Sequence, residues 1–145
     1  MKKIVLLIDI ISSVFLLLFF YTAISKLMHY PEFRLAMAES SMLKPFAGVI
    51  AWLLPVAEIV TAVLLFFPAT RIKGLYVSFF LIVIFTVYLS FMILFTHDIP
   101  CNCGGAIKNL TWPQHIYFNL FFLALAITGI LLHKKDRQIV KSVPP

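Results

Sequence analysis

Apolar residues in this chain fall into four long blocks that are separated by short polar connections. The blocks cover about residues 4–24, 46–67, 74–96 and 113–132. An α-helix rises about 1.5 Å per residue, so each block is long enough to cross the roughly 30 Å hydrocarbon core of a bilayer. The strands of a membrane barrel would be shorter and would alternate apolar with polar residues. The pattern therefore predicts an all-α integral membrane protein whose residues 1–145 form one four-transmembrane-helix bundle.

The first connection, residues 27–45, is the longest and contains a second helical signal. Pro31 followed by Glu32 is typical of a helix start, because proline is tolerated in a first turn and an acidic residue there suits the helix dipole. Phe33 and Met37 would then share one face. We expect a short interfacial segment between helices 1 and 2.

Two spans carry small and polar residues at helical spacing, which favours faces that pack against other helices. In the second span this face comprises Ala47, Ala51, Leu54, Glu58, Thr61 and Leu65. In the fourth span it comprises His115, Asn119, Phe122, Ala126, Gly129 and His133. We therefore expect Glu58, His115 and Asn119 to point into the bundle.

An ionisable group inside a membrane is costly and needs either a partner or a role. Glu58, near the middle of its span, is either a proton-carrying or ligand-binding carboxyl or a hydrogen-bonded structural group. Lys26 ends the first span, where it serves either as an interfacial anchor or as a cation that faces the third connection or a bound anion. Asp9 is interpreted as structural.

The composition agrees with a lipid environment, since 62% of the residues are hydrophobic, 12% are charged and the mean hydropathy is +1.02. A net charge of +6 would suit nucleic acid in a soluble protein. Here, however, most Lys and Arg residues lie at the ends of apolar blocks, where charge sets membrane orientation. We therefore expect the lipid bilayer as the surroundings and no binding of nucleic acid.

Lys and Arg are unevenly distributed between the two sides of the predicted bundle. Eight lie at the amino end, in the second connection and in the tail, against four in the first and third connections. The side with more Lys and Arg generally faces the cytoplasm. We expect a bacterial inner-membrane protein with both termini cytoplasmic and the third connection in the periplasm. The polar tail, residues 133–145, is expected to fray.

The third connection holds Cys101 and Cys103, which are the only cysteines in the chain. They could form a redox-active dithiol, a permanent disulfide or part of a metal site. An oxidising compartment favours a disulfide. A bond across so short a loop stabilises a fold little and departs easily from relaxed geometry, which makes it easier to reduce. A metal site with His97 or His115 would lack the spacing of structural zinc sites, although soft Cu(I) remains an alternative.

The start of the fourth span adds a reason for thiol reactivity. Thr111 and Gln114 have the spacing of a capping box, and Pro113 suits a first helical turn. His115 would then lie one turn into a helix whose positive end faces the cysteines. Helix amino ends and protonated histidines favour thiolates, so His115 joins Cys101 and Cys103 as a candidate catalytic residue.

These elements together resemble the MauE/DoxX family of redox-associated membrane proteins, small four-helix proteins related to the methylamine-utilisation protein MauE. The residues that carry the resemblance are Ser25-Lys26-Leu27, Pro55 to Glu58, Gly74, Cys101-x-Cys103-Gly104 and Asn119. The resemblance implies a role in forming or maintaining disulfides in a periplasmic protein, alongside a thioredoxin-like partner. The resemblance does not imply that the methylamine enzyme is the client of this chain.

The sequence therefore predicts a thiol-disulfide redox protein whose cysteine pair exchanges electrons with a periplasmic thioredoxin-like protein or disulfide client. With one cysteine pair, electrons must pass to a partner or to a quinone, for which Glu58, Asn119 and Lys26 are the candidate binding residues. Whether the protein is itself a thiol-disulfide oxidoreductase stays open. The alternatives are a non-catalytic accessory or assembly subunit of a larger membrane complex, and a soft-metal-binding membrane protein.

Overall fold

The computed structural model describes residues 2–95 and 111–144, and these residues are almost entirely helical. The five α-helices of this part of the chain are α1 (Lys2–Met28), α2 (Tyr30–Glu39), α3 (Ala47–Phe66), α4 (Arg71–Phe95) and α5 (Trp112–Ser142). A short 3-10 turn, Lys44–Phe46, leads into α3. All but α2 are long and apolar enough to cross a membrane. The prediction of an all-α, multi-pass membrane protein is confirmed.

The four long helices pack in a ring in which α1 and α4 are diagonal to each other. α1 packs mainly on α3 and α5, and α4 packs on the same two helices. The core centres on Phe15, which is fully buried on α1 and meets the ring of Phe122 on α5 edge to face at 5.4 Å. Leu65 of α3 and Leu75 of α4 complete this core. The outer surface of the bundle is apolar, as a surface in contact with lipid has to be.

The two faces predicted to point inward do so. On α3 the side chains of Ala47, Ala51, Glu58, Thr61 and Leu65 are buried, and Leu54 is half-buried. On α5 the residues Phe122, Ala126 and Gly129 are buried, while His115, Asn119 and His133 are half-buried. Small residues bring these helices close to their neighbours. A Cβ at Gly129 would lie 3.2 Å from Cγ2 of Ile11 on α1.

The short helix α2 begins as the sequence predicts and packs onto the bundle. Pro31 lies in its first turn, and Glu32 lies in the same turn. Phe33 and Met37 are buried and form a small second core with Ala47 and Ala51 of α3. The first connection therefore covers one end of α3.

The tail is the clearest difference from expectation. α5 continues through Ser142, so the prediction that the chain frays from His133 onward is wrong. The physical reason is that residues 133–142 contain no proline or glycine, and that Lys, Arg and Gln are good helix formers. The first helix breaker is Pro144, and the residue before a proline disfavours the helical conformation.

Candidate functional site

Lys26 and Glu58, which are 32 positions apart in the sequence, form an ion pair inside the bundle. The Lys26 ammonium donates to Oε1 of Glu58 at 2.5 Å. Both side chains are almost fully buried, with 5% and 6% of their surfaces exposed. We call these two residues the buried pair. Lys26 is therefore not the exposed interfacial anchor that was one of its two interpretations.

Two aromatic rings enclose the ammonium of Lys26. Nζ lies 5.8 Å from the centroid of the Phe33 ring on α2 and 5.6 Å from that of the Phe85 ring on α4. An ammonium is attracted to an aromatic ring at such distances. Four helices therefore contribute to this site, since Lys26 comes from α1 and its carboxylate partner from α3.

The second carboxylate oxygen of Glu58, Oε2, lies beside Thr22. Among the described residues, no group donates a hydrogen bond to Oε2, although this atom is buried. Thr22 lies beside the carboxyl group, one turn from Lys26. Its hydroxyl, however, donates to the carbonyl of Phe19 at 3.1 Å. Among the described residues, Lys26 is therefore the main partner of the Glu58 carboxyl group, and Thr22 is its polar neighbour.

His115 and Asn119 of α5 lie at the same end of the bundle as the buried pair. α1 and α5 run in opposite directions, because Phe15 meets Phe122 while Ile11 meets Gly129. Counting equally along both helices from Phe15 and Phe122, His115 is level with Thr22, and Asn119 lies one turn deeper. His115 and Asn119 therefore lie at the end of the bundle where α1 ends, which is the end that contains the buried pair.

The start of α5 has the geometry that the sequence predicts. The backbone N–H of Thr111 donates to Oε1 of Gln114 at 2.9 Å, which is half of a capping box. The backbone N–H of His115 donates to the carbonyl of Thr111 at 3.1 Å. His115 is therefore in the first turn of α5, where the positive end of the helix dipole lies.

Cys101, Cys103 and His97 lie outside the described residues, as does the rest of the connection between α4 and α5. Chain continuity attaches this connection to the end of α4 at Phe95 and to Thr111 before α5. We call this end of the bundle the connecting end. We call the connection that contains Cys101 and Cys103, residues 96–110, the cysteine segment. The buried pair, His115 and the attachment points of the cysteine segment all belong to the connecting end.

A second ion pair lies at the opposite end of the bundle. Arg71 of α4 donates to Asp9 of α1, and Asp9 is 46% exposed. The pair joins the two diagonal helices near the start of each. This arrangement agrees with the structural role predicted for Asp9.

Both members of the buried pair are predicted from the sequence, but their contact is not, and neither are Phe85 and Thr22. The sequence does point to Phe33, because this residue and Met37 share one face of the predicted helix. Phe85 sits in an apolar span rich in phenylalanine, so nothing in the sequence distinguishes it. Thr22 could have been found as the residue one turn before Lys26 on the same helical face.

Comparison with known proteins adds one relationship. The sequence model of the family described as methylamine utilisation protein MauE matches residues 2–132. Searches of curated proteins and of solved structures give no match. The matched range includes the buried pair, the cysteine segment and the first turns of α5. The chain therefore belongs to the MauE family.

Proposed function

We propose that this membrane protein supports the formation or exchange of disulfides in a partner protein, using Cys101 and Cys103 as a redox-active pair. The observation that carries the proposal is the position of these two residues. They are the only cysteines of the chain, they are one residue apart, and they precede the capped start of α5. Membership of the MauE family supports the same role.

The chemistry is thiol-disulfide exchange. A thiolate of the reduced partner attacks the disulfide between Cys101 and Cys103, so that a mixed disulfide forms and one cysteine leaves as a thiolate. The partner's second thiolate then attacks the mixed disulfide and releases the other cysteine. Two electrons pass from the partner to the pair. His115 and the amino end of α5 favour the thiolate states on this route.

The excess of Lys and Arg at the two termini and in the connection between α3 and α4 supports the orientation. In this orientation both termini are cytoplasmic and the cysteine segment lies in the periplasm of a bacterial inner membrane. A disulfide persists in that compartment. The partner is then a periplasmic thioredoxin-like protein or the client whose disulfide is formed.

Single-cysteine variants test the proposal directly. Cys101→Ser and Cys103→Ser each leave one thiol in the whole chain, so any adduct must involve that one residue. Cells are acidified to quench thiols, and adducts are separated on non-reducing gels. We expect one variant to accumulate a reducible adduct with a second protein, and the double variant to show none.

The alternative of a non-catalytic accessory subunit gives a different result. In that case neither single variant forms an adduct, and the double variant keeps the cellular disulfide phenotype of the unaltered protein. Stoichiometric copper or zinc in the purified protein, lost in the double variant, would instead favour the metal-binding alternative.

A further inference from the structure

We propose that the end of the bundle opposite to the connecting end binds the phosphate headgroups of anionic phospholipids. We call it the basic end, and it comprises the starts of α1 and α4 and the last turns of α5. The inference goes beyond the proposed function and does not depend on it, since it uses neither the cysteine segment nor the buried pair.

Three helices bring their terminal residues together at the basic end. Arg71, the first residue of α4, donates to Asp9 near the start of α1. Leu75, one turn further along α4, packs against α5, where a Cβ at Gly129 would lie 3.4 Å from its Cδ1 atom. Arg71 also lies near His133 of α5. The basic residues of these three helix ends therefore belong to one surface.

The whole net charge of the protein lies at the basic end. Eight of the 12 Lys and Arg residues belong to it, against two acidic residues, Asp9 and Asp136, which leaves a net charge of +6. The connecting end and the cysteine segment carry the other four basic and four acidic residues, which cancel. Like charges that are gathered on one surface repel each other and attract counter-ions. The bundle therefore has one cationic end and one end without net charge.

Most cations of the basic end are exposed. Arg71 is half-buried and is paired with Asp9. The other seven are exposed, and none of them forms an ion pair within residues 2–95 and 111–144. These seven residues are Lys2, Lys3, Lys73, Lys134, Lys135, Arg137 and Lys141. Such a surface fits a partner that presents several negative charges side by side.

The level of these cations relative to the membrane identifies the partner. The basic residues of α1 and α4 directly precede apolar blocks that begin at about residues 4 and 74. The fourth block ends at about residue 132, and α5 continues as one helix to Ser142. At about 1.5 Å per residue, positions 134–137 lie about 3–8 Å beyond the hydrocarbon. The headgroup layer is about 5–7 Å thick on each side, so these cations lie at the level of lipid phosphates.

The chemistry of the side chains suits this partner. Lys donates to a phosphate as a point charge, and Arg can donate two parallel hydrogen bonds to it. Each Lys or Arg close to an anionic membrane surface strengthens the attraction by about fivefold. Because the cations are carried by the ends of membrane-spanning helices, they stay next to the headgroups.

Binding is tested on the full-length protein by native mass spectrometry in detergent. Phosphatidylglycerol and phosphatidylcholine with identical acyl chains are titrated separately, and the apparent affinity for the first bound lipid is measured. We expect phosphatidylglycerol to bind at least about fivefold more tightly. Raising ammonium acetate from about 0.1 M to about 1 M shortens the screening length from about 10 Å to about 3 Å, so it should reduce this preference.

A pair of matched double variants locates the site. Lys135→Gln with Arg137→Gln removes two exposed cations from the basic end. Gln is a good helix former, so α5 should stay folded, which circular dichroism checks. Arg34→Gln with Lys44→Gln removes the same two residue types from exposed positions at the connecting end. We expect the first variant to lose the preference for phosphatidylglycerol by about fivefold, and the second to keep it.

Three outcomes overturn the inference. The first is equal affinity of the unaltered protein for the two lipids. The second is an equal loss of preference in the two double variants, which would mean that the anionic lipid does not favour the basic end. The third is displacement of phosphatidylglycerol by inorganic phosphate at constant ionic strength, which would show that free anions, and not lipid headgroups, occupy the surface.

Discussion

The contact between Lys26 and Glu58 is the feature of the bundle that substitution tests most sharply. Lys26→Met leaves Glu58 as a buried carboxylate without its ammonium, and Glu58→Leu leaves the ammonium without its carboxylate. Each partner is only about 5% exposed, so water cannot replace what is lost. We expect each single variant to be destabilised by about 3–5 kcal/mol, the cost of breaking a buried ion pair by removing one partner.

The double variant separates this cost from a simple loss of packing. With both charges gone, no buried charge is left unpaired, and we expect a stability within about 1 kcal/mol of the original protein or above it. The coupling energy between the two positions should then exceed about 3 kcal/mol, which residues far apart do not show. As a matched control, Asp9→Asn disrupts the other pair, where the 46% exposure of Asp9 limits the effect to about 1 kcal/mol.

The assay is reversible unfolding of the purified protein in mixed micelles, with the denaturing detergent increased stepwise and helicity followed by circular dichroism. All four members of the cycle and the Asp9→Asn control are measured in the same lipid and detergent mixture. If the costs of the two single variants simply add in the double variant, the side chains of Lys26 and Glu58 do not interact, and the reasoning about this site is refuted.

Three further predictions use other parts of the bundle. Gly74→Ala would place a Cβ 2.9 Å from the side chain of Leu65, so it should lower the free energy of unfolding by about 1–3 kcal/mol in the same assay. The control Gly48→Ala places a Cβ with nothing within 4 Å, so it should leave that free energy unchanged or raise it. His115→Gln removes the imidazole that is proposed to favour the thiolates, so it should slow alkylation of the thiols at neutral pH by about two- to fivefold. An unchanged rate would remove His115 from the proposed site. Amide hydrogens of residues 136–142 should exchange more slowly than those of the same peptide in isolation, because α5 continues to Ser142; equal rates would contradict the helical tail.

Much of the fold could be predicted because a membrane restricts the choices. An apolar block of about 20 residues has to be a helix in lipid, so four blocks predict four spanning helices. Small residues at positions such as Ala51 and Ala126 mark the inward faces, since only small side chains let helices approach closely. Local rules also located the start of α2 at Pro31 and the capped start of α5 at Thr111.

What could not be predicted depends on contacts between distant segments. Nothing in the sequence says that Lys26 reaches Glu58, because the distance along the chain does not determine which helices are neighbours or how far one slides past another. The contact between the Phe85 ring and the Lys26 ammonium could not be predicted for the same reason. The tail differs for another reason. Its polarity predicts disorder, but the Lys, Arg and Gln residues after His133 are good helix formers.

The central claim is that Cys101 and Cys103 act as one redox-active pair, and their thiol state in intact cells tests it most directly. Cells are treated briefly with a membrane-permeant reductant, the reductant is removed, and free thiols are labelled over time with a maleimide that adds mass. We expect both thiols to appear on reduction and to disappear together within minutes, while in the single-cysteine variants the remaining thiol does not form an intramolecular bond. Two thiols that stay reduced after the reductant is removed, or a disulfide that resists reduction in the folded protein, would contradict the account.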